Sequence, residues 1–382
     1  MTNTADSNAR QAESRQAVEL KQVDAELSPK NPIDLSHAHL RLGIDVGSTT
    51  VKLAVIDDND NLIYANYERH HTDVKATAKQ VFQKAERALG NVPMRVSITG
   101  SGGMLLAQWL GVEFVQEVIA SKHAVEALIP QTDCAIELGG EDAKIIYFDN
   151  GIEQRMNGTC AGGTGAFIDE IAALLKIDVE QLDDAAAAGC TVYDISGRCG
   201  VYAKTDIQPL LNQGASRDDL ALSAFHAIAK QTIGGLAQGL EIKKPVAFEG
   251  GPLTFNPRLI AVFAERLGLG RKDIIIPDHP ETIVAVGAAL ALEELFAGRQ
   301  ARLVPSQAIK TLEKAHIVVI DDAAGSAASQ SAYAGKPFFK TDAERAVFNE
   351  RHQLPQTKTA LEQGNLPKTP RIPWRGLRVH HH

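Results

Sequence analysis

The sequence predicts an α/β protein of two related lobes facing a shared cleft. Three observations carry this expectation. A module of strand, acidic residue, glycine turn and strand occurs twice, at residues 42–55 and 134–148. Around and after the two copies, apolar runs of strand length alternate with longer segments of helical pattern. Several of the strands end in glycine-rich turns, the place where open α/β sheets bind ligands.

Taken in order, residues 1–38 are rich in Asn, Gln, Glu, Ser and Ala and poor in large apolar residues, so a mobile tail is expected. The first strand, 40–46, has Asp45 near its end, and Gly47-Ser48-Thr49-Thr50 turns the chain into a second strand at 51–57. The Asp58-Asn59-Asp60-Asn61 turn leads to a third strand at 62–65. A helix follows at 73–89, then a strand at 95–99, the flexible turn Gly100-Ser101-Gly102-Gly103, a helix at 104–110 and a short strand at 113–115. The second copy has a strand at 134–138 carrying Glu137, the turn Gly139-Gly140-Glu141-Asp142 and a strand at 143–148, closed by the hairpin turn Asp149-Asn150-Gly151. From Cys160 the chain reads as mostly helical, at about 165–175, 179–187, 203–213 and 217–238. A strand at 245–248 runs into Glu249-Gly250-Gly251-Pro252, followed by a helix at 257–267, a strand at 274–276 and a helix at 282–296. A boundary near Gly298 gives a tail of 1–38, a two-lobed domain of 39–298 and a C-terminal extension of 299–382, in which a strand is expected within 304–319. The closing His380-His381-His382 looks like part of a purification tag.

Composition narrows the function. Of 382 residues, 39 are Lys or Arg and 47 Asp or Glu, a formal charge of −8, which argues against nucleic-acid binding. No apolar run approaches the ~20 residues needed to cross a bilayer. The polar N-terminus lacks the apolar stretch of a secretory signal, so a cytoplasmic protein is expected. There the four cysteines point to metal binding, catalysis or burial rather than disulfides.

Each glycine turn read alone is an ordinary β-turn; repetition argues for more. Glycine lets the backbone approach a phosphate, and the hydroxyls of Ser48, Thr49 and Thr50 suit its oxygens. A carboxylate at the strand end, Asp45, can hold Mg²⁺ through water, and Lys52 can meet a phosphate. Glu137, with Gly139, Gly140 and Asp142, repeats the arrangement. Gly250-Gly251-Pro252 suits a flat contact with a base and ribose, and the Gly100 turn is either a hinge or part of the cleft lining. Glu117 and His123 lie nearby, and a lone histidine is more often structural. There is no Gly-x-x-x-x-Gly-Lys-Ser/Thr phosphate loop and no dinucleotide fingerprint.

Among the cysteines, Cys134 reads as core and Cys190 has no evident role. Cys160 precedes the turn Ala161-Gly162-Gly163-Thr164-Gly165 and a helical run, and Cys199 sits in Gly197-Arg198-Cys199-Gly200 ahead of another. A helix N-terminus carries roughly half a positive charge, which favours a thiolate or a bound anion. Such a turn could cradle phosphate or hold a metal cluster. Two thiolates do not complete a four-thiolate site, which a two-fold dimer would.

These stretches carry a resemblance: Gly43-Ile44-Asp45-Val46-Gly47-Ser48-Thr49-Thr50-Val51-Lys52, Thr99-Gly100-Ser101-Gly102, Glu137-Leu138-Gly139-Gly140-Glu141-Asp142-Ala143-Lys144, the run 156–165 around Cys160, the run 198–206 around Cys199, Gly250-Gly251-Pro252 and Gly287-Ala288-Ala289. Over residues 41 to about 297 the chain resembles the ATP-dependent activators of 2-hydroxyacyl-CoA dehydratases, a family that includes subunits of benzoyl-CoA reductase, within the actin, sugar-kinase and heat-shock-chaperone ATPase superfamily. Segments 114–120, 250–255 and 338–352 resemble in particular the long, multidomain activase-like proteins. The resemblance implies a two-lobed actin-like ATPase with ribonuclease H-like duplicated lobes and an interlobe nucleotide cleft. It implies a homodimer with one [4Fe-4S] cluster between subunits, Cys160 and Cys199 of each being the ligands, and ATP or ADP with Mg²⁺ in each cleft. Phosphate binding falls to Gly47, Ser48, Thr49, Thr50, Lys52, Gly139, Gly140, Gly163, Thr164 and Gly165, nucleoside binding to Gly250, Gly251 and Pro252, Mg²⁺ to Asp45, and the attacking water to Glu137 or Asp142. The implied activity is ATP-driven electron transfer from a ferredoxin or flavodoxin to an iron–sulfur dehydratase or reductase. The chain departs from the pattern at Glu137, where many relatives have Asp, and at Glu141, where many have Gln. A small-molecule kinase of the same fold without a cluster is the alternative, and a nucleotide-sensing scaffold is another.

Overall fold

The computed structural model describes residues 26–27, 39–149, 151–158, 161–298, 302–315, 339 and 341–351. They fall into two units, 1–315 and 316–382. The first unit is organised on two sheets. One contains β1 (Glu26–Leu27), β2 (Arg41–Val46), β3 (Thr50–Ile56), β4 (Leu62–Arg69), β5 (Arg95–Thr99) and β6 (Glu113–Phe114), in the order β1-β4-β3-β2-β5-β6. The other contains β7 (Cys134–Leu138), β8 (Ala143–Tyr147), β9 (Glu153–Met156), β10 (Val246–Glu249) and β11 (Ile274–Ile275), in the order β11-β10-β7-β8-β9. In each, three strands meander antiparallel and two more add in parallel on the far side of the first. The topology of β2-β3-β4-β5-β6 is thus repeated by β7-β8-β9-β10-β11, as the duplicated module predicts.

Parallel additions need crossovers, and helices supply them. α1 (Val74–Leu89) joins β4 to β5, and α2 (Gly103–Leu110) joins β5 to β6. The Asp73 side chain caps α1 by accepting from the Ala76 N–H at 2.9 Å, and Ala78, Val81, Phe82, Ala85 and Leu89 form the buried stripe that seats it on the sheet. α3 (Glu117–Leu128) carries the chain to the second sheet. Between β9 and β10 lie α4 (Gly165–Leu175), α5 (Leu182–Ala188), α6 (Gly200–Asn212) and α7 (Arg217–Thr232). α8 (Gly251–Thr254) and α9 (Pro257–Leu267) follow β10, and α10 (Ile283–Leu295) and α11 (Pro305–Lys314) complete the unit. In the second unit α12 (Asp342–Arg351) is described, with Val347 and Phe348 exposed.

β2 is buried along its whole length, as a central strand covered on both faces should be. Over residues 283–292 helix α10 is apolar all round, and every one of those residues is buried. One side packs Ala285, Val286 and Ala289 on Ala54 and Ile56 of β3. The other joins Ile283, Ala288 and Ala291 to Ala120 and Ala124 of α3 and to Ala135, Ile146 and Ala247 of the second sheet. Close approach needs the absence of side chains. A Cβ at Gly43 would overlap the Ala285 carbonyl, and one at Gly287 the Ala120 carbonyl.

The structure differs from expectation in several places. The strand expected within 304–319 is not found among the described residues there; 305–314 is helix α11 instead, which opens on Pro305 and buries Ala308 and Leu312, four apart, against the first lobe. Residues 316–319 lie outside the described residues. Helix α6 starts at Gly200 rather than 203, and α7 ends at Thr232, with a wider-wound turn at Ile233–Ala237 completing the segment. Helix α3 and strand β9 have no counterpart among the elements expected from the sequence. Of the tail expected to be mobile, 1–25 and 28–38 lie outside the described residues, and Glu26–Leu27 pair with β4.

Candidate functional site

The two copies of the module place the same chemistry at the same register. Asp45 on β2 stands directly opposite Lys52 on β3, and Glu137 on β7 directly opposite Lys144 on β8. Lys52 Nζ donates to Asp45 Oδ2 at 2.6 Å and Lys144 Nζ to Glu137 Oε1 at 2.9 Å. The turns match as well. The Gly47 N–H donates to the Thr50 carbonyl at 2.9 Å, and the Gly139 N–H to the Asp142 carbonyl at 2.7 Å. On the parallel neighbours, Thr99 pairs with Asp45 and Glu249 with Glu137. Each is followed by a glycine at positive φ, Gly100 at 89° and Gly250 at 92°, a backbone that other residues adopt only under strain. The two turns meet across the cleft, where Gly140 lies against the Thr49 side chain.

Burial sets the electrostatics. Lys144 is held in its charged form by Glu137 and Glu117, whose attraction outweighs the burial that opposes it. Burial opposes the charge on Lys52 too, but Asp45, Tyr67 and Glu137 together outweigh it, and Lys52 is likewise raised. Glu117, at the start of α3, accepts from Lys144 Nζ. Burial pushes its carboxyl up to about 7; Lys144 opposes this, while Glu137 and Asp45 add to it. Glu249 is fully buried with neither oxygen partnered, and burial followed by repulsion from Glu137 pushes it to about 8. Glu281 is 3% exposed and takes a contact from His279 Nδ1 at 3.3 Å. Asp45 Oδ1 and Glu137 Oε2 are buried without a partner. A buried carboxylate oxygen with nothing to accept from is a poor arrangement by itself, and Asp45 Oδ1 fits Mg²⁺ held mainly through water. Among the described residues no group of three or more His, Cys, Asp or Glu is arranged to hold a metal ion by itself.

Beside this floor opens a cavity of about 260 Å³. Thr49, Tyr67 and Arg69 border it from the first lobe, and Gly140, Gly165, Gly251 and Pro252 from the second. The start of α4 is tied to the second turn, with the Gly165 N–H donating to the Gly139 carbonyl at 3.0 Å and the Ala166 N–H to the Gly140 carbonyl at 2.7 Å. The structure therefore brings together Asp45, Gly47, Thr49, Lys52, Glu137, Gly139, Gly140, Gly165, Gly250, Gly251 and Pro252. Thr50 lies on β3 beside the Tyr67 hydroxyl. Ser48 and Asp142 sit half-buried in the two turns. Thr164 is fully buried, and its hydroxyl donates to the Ala161 carbonyl within its own turn. Gly163 lies near the Thr232 hydroxyl.

Cys199 is half-buried in extended backbone immediately before α6, with Val201 75% and Tyr202 62% exposed just beyond it. Cys160 lies outside the described residues. Gly162, two positions later, rests on the backbone of Gly197 and Arg198, so the two cysteine turns adjoin. Cys134 is core, its thiol pushed up to about 12 by burial. Cys190 is exposed. His123 belongs elsewhere, 3.7 Å from Glu294 in a different cavity.

Lys144, Glu249, Glu281, Tyr67 and Arg69 were not singled out from the sequence, and Glu117 was noted without a role. One signal was available. Lys144 follows Glu137 by the same seven residues that separate Lys52 from Asp45. Among the described residues, no helix is long and apolar enough to cross a membrane.

Comparison with known proteins agrees with this geometry. The 2-hydroxyisocaproyl-CoA dehydratase activator of Clostridioides difficile is 26% identical over 255 residues, covering 65% of this chain and 93% of that protein. The crystal structure of the Acidaminococcus fermentans (R)-2-hydroxyglutaryl-CoA dehydratase component A matches with a TM-score of 0.58 at 26% identity, over 66% of this chain and 97% of that one. The activator of the 2-hydroxyisocaproyl-CoA dehydratase from Clostridium difficile with bound ADPNP matches with a TM-score of 0.57 at 22% identity, over 73% of this chain and 99% of that one. The fold is the two-lobed actin-like ATPase fold expected from the sequence. The profile of one ATPase family spans residues 42–291, both lobes and the cleft between them, and the chain belongs to that family, the BadF/BadG/BcrA/BcrD ATPase family.

Proposed function

We propose that this protein is an ATP-dependent reductive activator that delivers a low-potential electron to a partner iron–sulfur enzyme of the 2-hydroxyacyl-CoA dehydratase or benzoyl-CoA reductase type. The observation that carries the reading is the meeting of the two cysteine turns, with Gly162 resting on the backbone next to Cys199. Both turns precede helices, whose N-terminal N–H groups favour thiolates. Two thiolates from each of two chains make the four that a [4Fe-4S] cluster needs, so the reading entails a homodimer with one cluster between subunits. The exposed Val201 and Tyr202 offer apolar surface for such a contact. Bound between Cys160 and Cys199 of both subunits, the cluster would supply a one-electron carrier. Relatives named as dehydratase activators support the reading.

ATP or ADP would lie in the cleft, where Asp45 would hold Mg²⁺ through water and the ion would supply positive charge to the phosphates. The backbone N–H groups of the turns at Gly47 and Gly139, with Ser48, Thr49, Thr50 and Lys52, bind phosphate. The turn of Gly163, Thr164 and Gly165 continues that cradle, and Gly250, Gly251 and Pro252 lie against the nucleoside. Glu137, steadied by Lys144, or else Asp142, orients the attacking water. Hydrolysis moves the lobes between two arrangements, and the solvent exposure and hydrogen bonding of the thiolates change with them, the protein's means of shifting a cluster potential. A ferredoxin or flavodoxin would be the electron donor.

The test is the visible and EPR spectra of anaerobically purified protein, with iron and sulfide quantified. The expected result is a broad band at roughly 400 nm and about four iron atoms per dimer, lost in Cys199→Ser while nucleotide binding persists. An iron-free protein that resists reconstitution would refute the cluster and favour a small-molecule kinase of the same fold.

A further inference from the structure

Helix α4 faces the cleft and Gly200, the residue after Cys199, through consecutive residues. On the cleft side, Asp169 receives a two-pronged ion pair from Arg69, the last residue of β4 in the other lobe, with Nη1 to Oδ2 at 2.7 Å and Nη2 to Oδ1 at 3.2 Å. Two positions back on the same face of β4, the Tyr67 ring meets Phe255 edge-on at 5.4 Å, and its hydroxyl lies close to Gly251. Thus one strand of the first lobe grips two elements of the second, and the 260 Å³ cavity lies between them. On the other side of α4, the Glu170 carboxylate presses on Gly200, the residue after Cys199; a Cβ at Gly200 would overlap it.

We propose that Arg69, Asp169 and Glu170 are positioning residues that brace the cleft and transmit its state to Cys199. The inference rests on the function proposed above and names residues through which the nucleotide acts. Its logic is mechanical. Bidentate pairing fixes the direction of the guanidinium as well as its distance. Arg69 is 45% exposed and Asp169 38%, and pairs so exposed are weak enough to be made and broken in each cycle. Both border the cavity, so a ligand there competes with the pair or tightens it. Because the start of α4 is bonded to the Gly139 turn, the helix moves with that turn. Glu170 then carries the motion to the start of α6, where the carboxylate also sits at the favourable end of the helix dipole.

The experiment is alkylation of Cys199 in the full-length, reduced, cluster-free protein, followed by mass spectrometry of the Cys199 peptide, with and without Mg-ADP or Mg-ADPNP. Nucleotide concentration is set to saturate each variant, as measured separately by calorimetry. Nucleotide should change the wild-type labelling rate at least about fivefold, the low end of typical site-to-site couplings. Arg69→Ala and Asp169→Asn should largely abolish that change. Glu170→Ala, which leaves the cleft untouched, should abolish it too, and the charge-reversed pair Arg69→Asp with Asp169→Arg should restore it. A full nucleotide response in Arg69→Ala and Asp169→Asn would overturn the inference. So would wild-type protein that binds nucleotide without any change at Cys199. Wild-type protein that binds no nucleotide would instead overturn the ATP-dependent function on which the inference rests.

Discussion

Replacing Glu249 by Gln should stabilise the protein, and the gain should grow with pH. Glu249 ends β10 with no exposed surface and no partner for either oxygen. Burial, then the Glu137 charge, pushes its carboxyl from 4.5 to about 8. Below about pH 4.5 the folded and unfolded chains both hold the proton, and Glu and Gln are nearly equivalent. Between that pH and about 8 the unfolded chain releases a proton that the fold retains, so wild-type stability falls by about 1.4 kcal/mol per pH unit. Above about 8 the folded form ionises as well and the loss stops. The advantage of Gln is therefore about 3 kcal/mol near pH 7 and levels off near 5 kcal/mol. Glu117 and Asp183, raised to about 7 and about 6, titrate in the same window but are present in both proteins and largely cancel in the difference. Urea unfolding midpoints of the two proteins, measured from about pH 5 to about pH 9 with their m values, give that difference directly. A difference that stays flat with pH would mean that Glu249 ionises like an ordinary carboxyl, and the picture of a neutral acid beside Glu137 would be wrong.

Three further outcomes follow from the same site and its frame. Lys144→Met leaves Glu117 and Glu137 buried without their cation and should cost about 3–5 kcal/mol; adding Glu137→Gln should recover part of this in a double-mutant cycle of thermal unfolding. Asp45→Asn should lower ATP hydrolysis by about 100-fold or more, as removal of a preorganised charge does, read by phosphate release, and unchanged turnover would remove Asp45 from the chemistry. Gly287→Ala would raise stability by about 1 kcal/mol in an ordinary helix; here the new Cβ meets the Ala120 carbonyl and lies 3.0 Å from Ala124 Cβ, so denaturant unfolding should show a loss of about 1–3 kcal/mol.

The frame of the molecule was legible because it is written in local patterns. β2, β7 and β10 are mostly apolar runs with a single carboxylate at or near the end of each, and their turns announce themselves by glycine, so the duplication and the positions of Asp45 and Glu137 could be read directly. The ion pairs were less legible, since a lysine on a strand reads as solvated until the register sets it against a carboxylate beneath a covering helix. Glu117 and Glu249 come to Glu137 from a crossover helix and a strand about 110 residues further along the chain, and neither approach leaves a local trace. β9, Glu153-Gln154-Arg155-Met156, is polar and exposed and exists because β8 offers it an edge. α11 hides its period because only Ala308 and Leu312 beyond its first residue are fully inside. Arg69 and Asp169, 100 positions apart, meet only when the lobes do.

Helix α10 carries none of the proposed chemistry, yet it has little room to diversify. A core residue usually accommodates change by letting one neighbour relax. Along α10 a shift toward β3 opens a gap against β7 and β10, and the reverse shift does the opposite, since its two sides answer to two sheets at once. A comprehensive substitution survey of this protein should accordingly find a deep trough of intolerance along a stripe of alanines and one glycine, well away from the glycine turns of the cleft. Drift in the glycine turns that line the cleft can be tried one position at a time, whereas change along this helix has to arrive in matched sets.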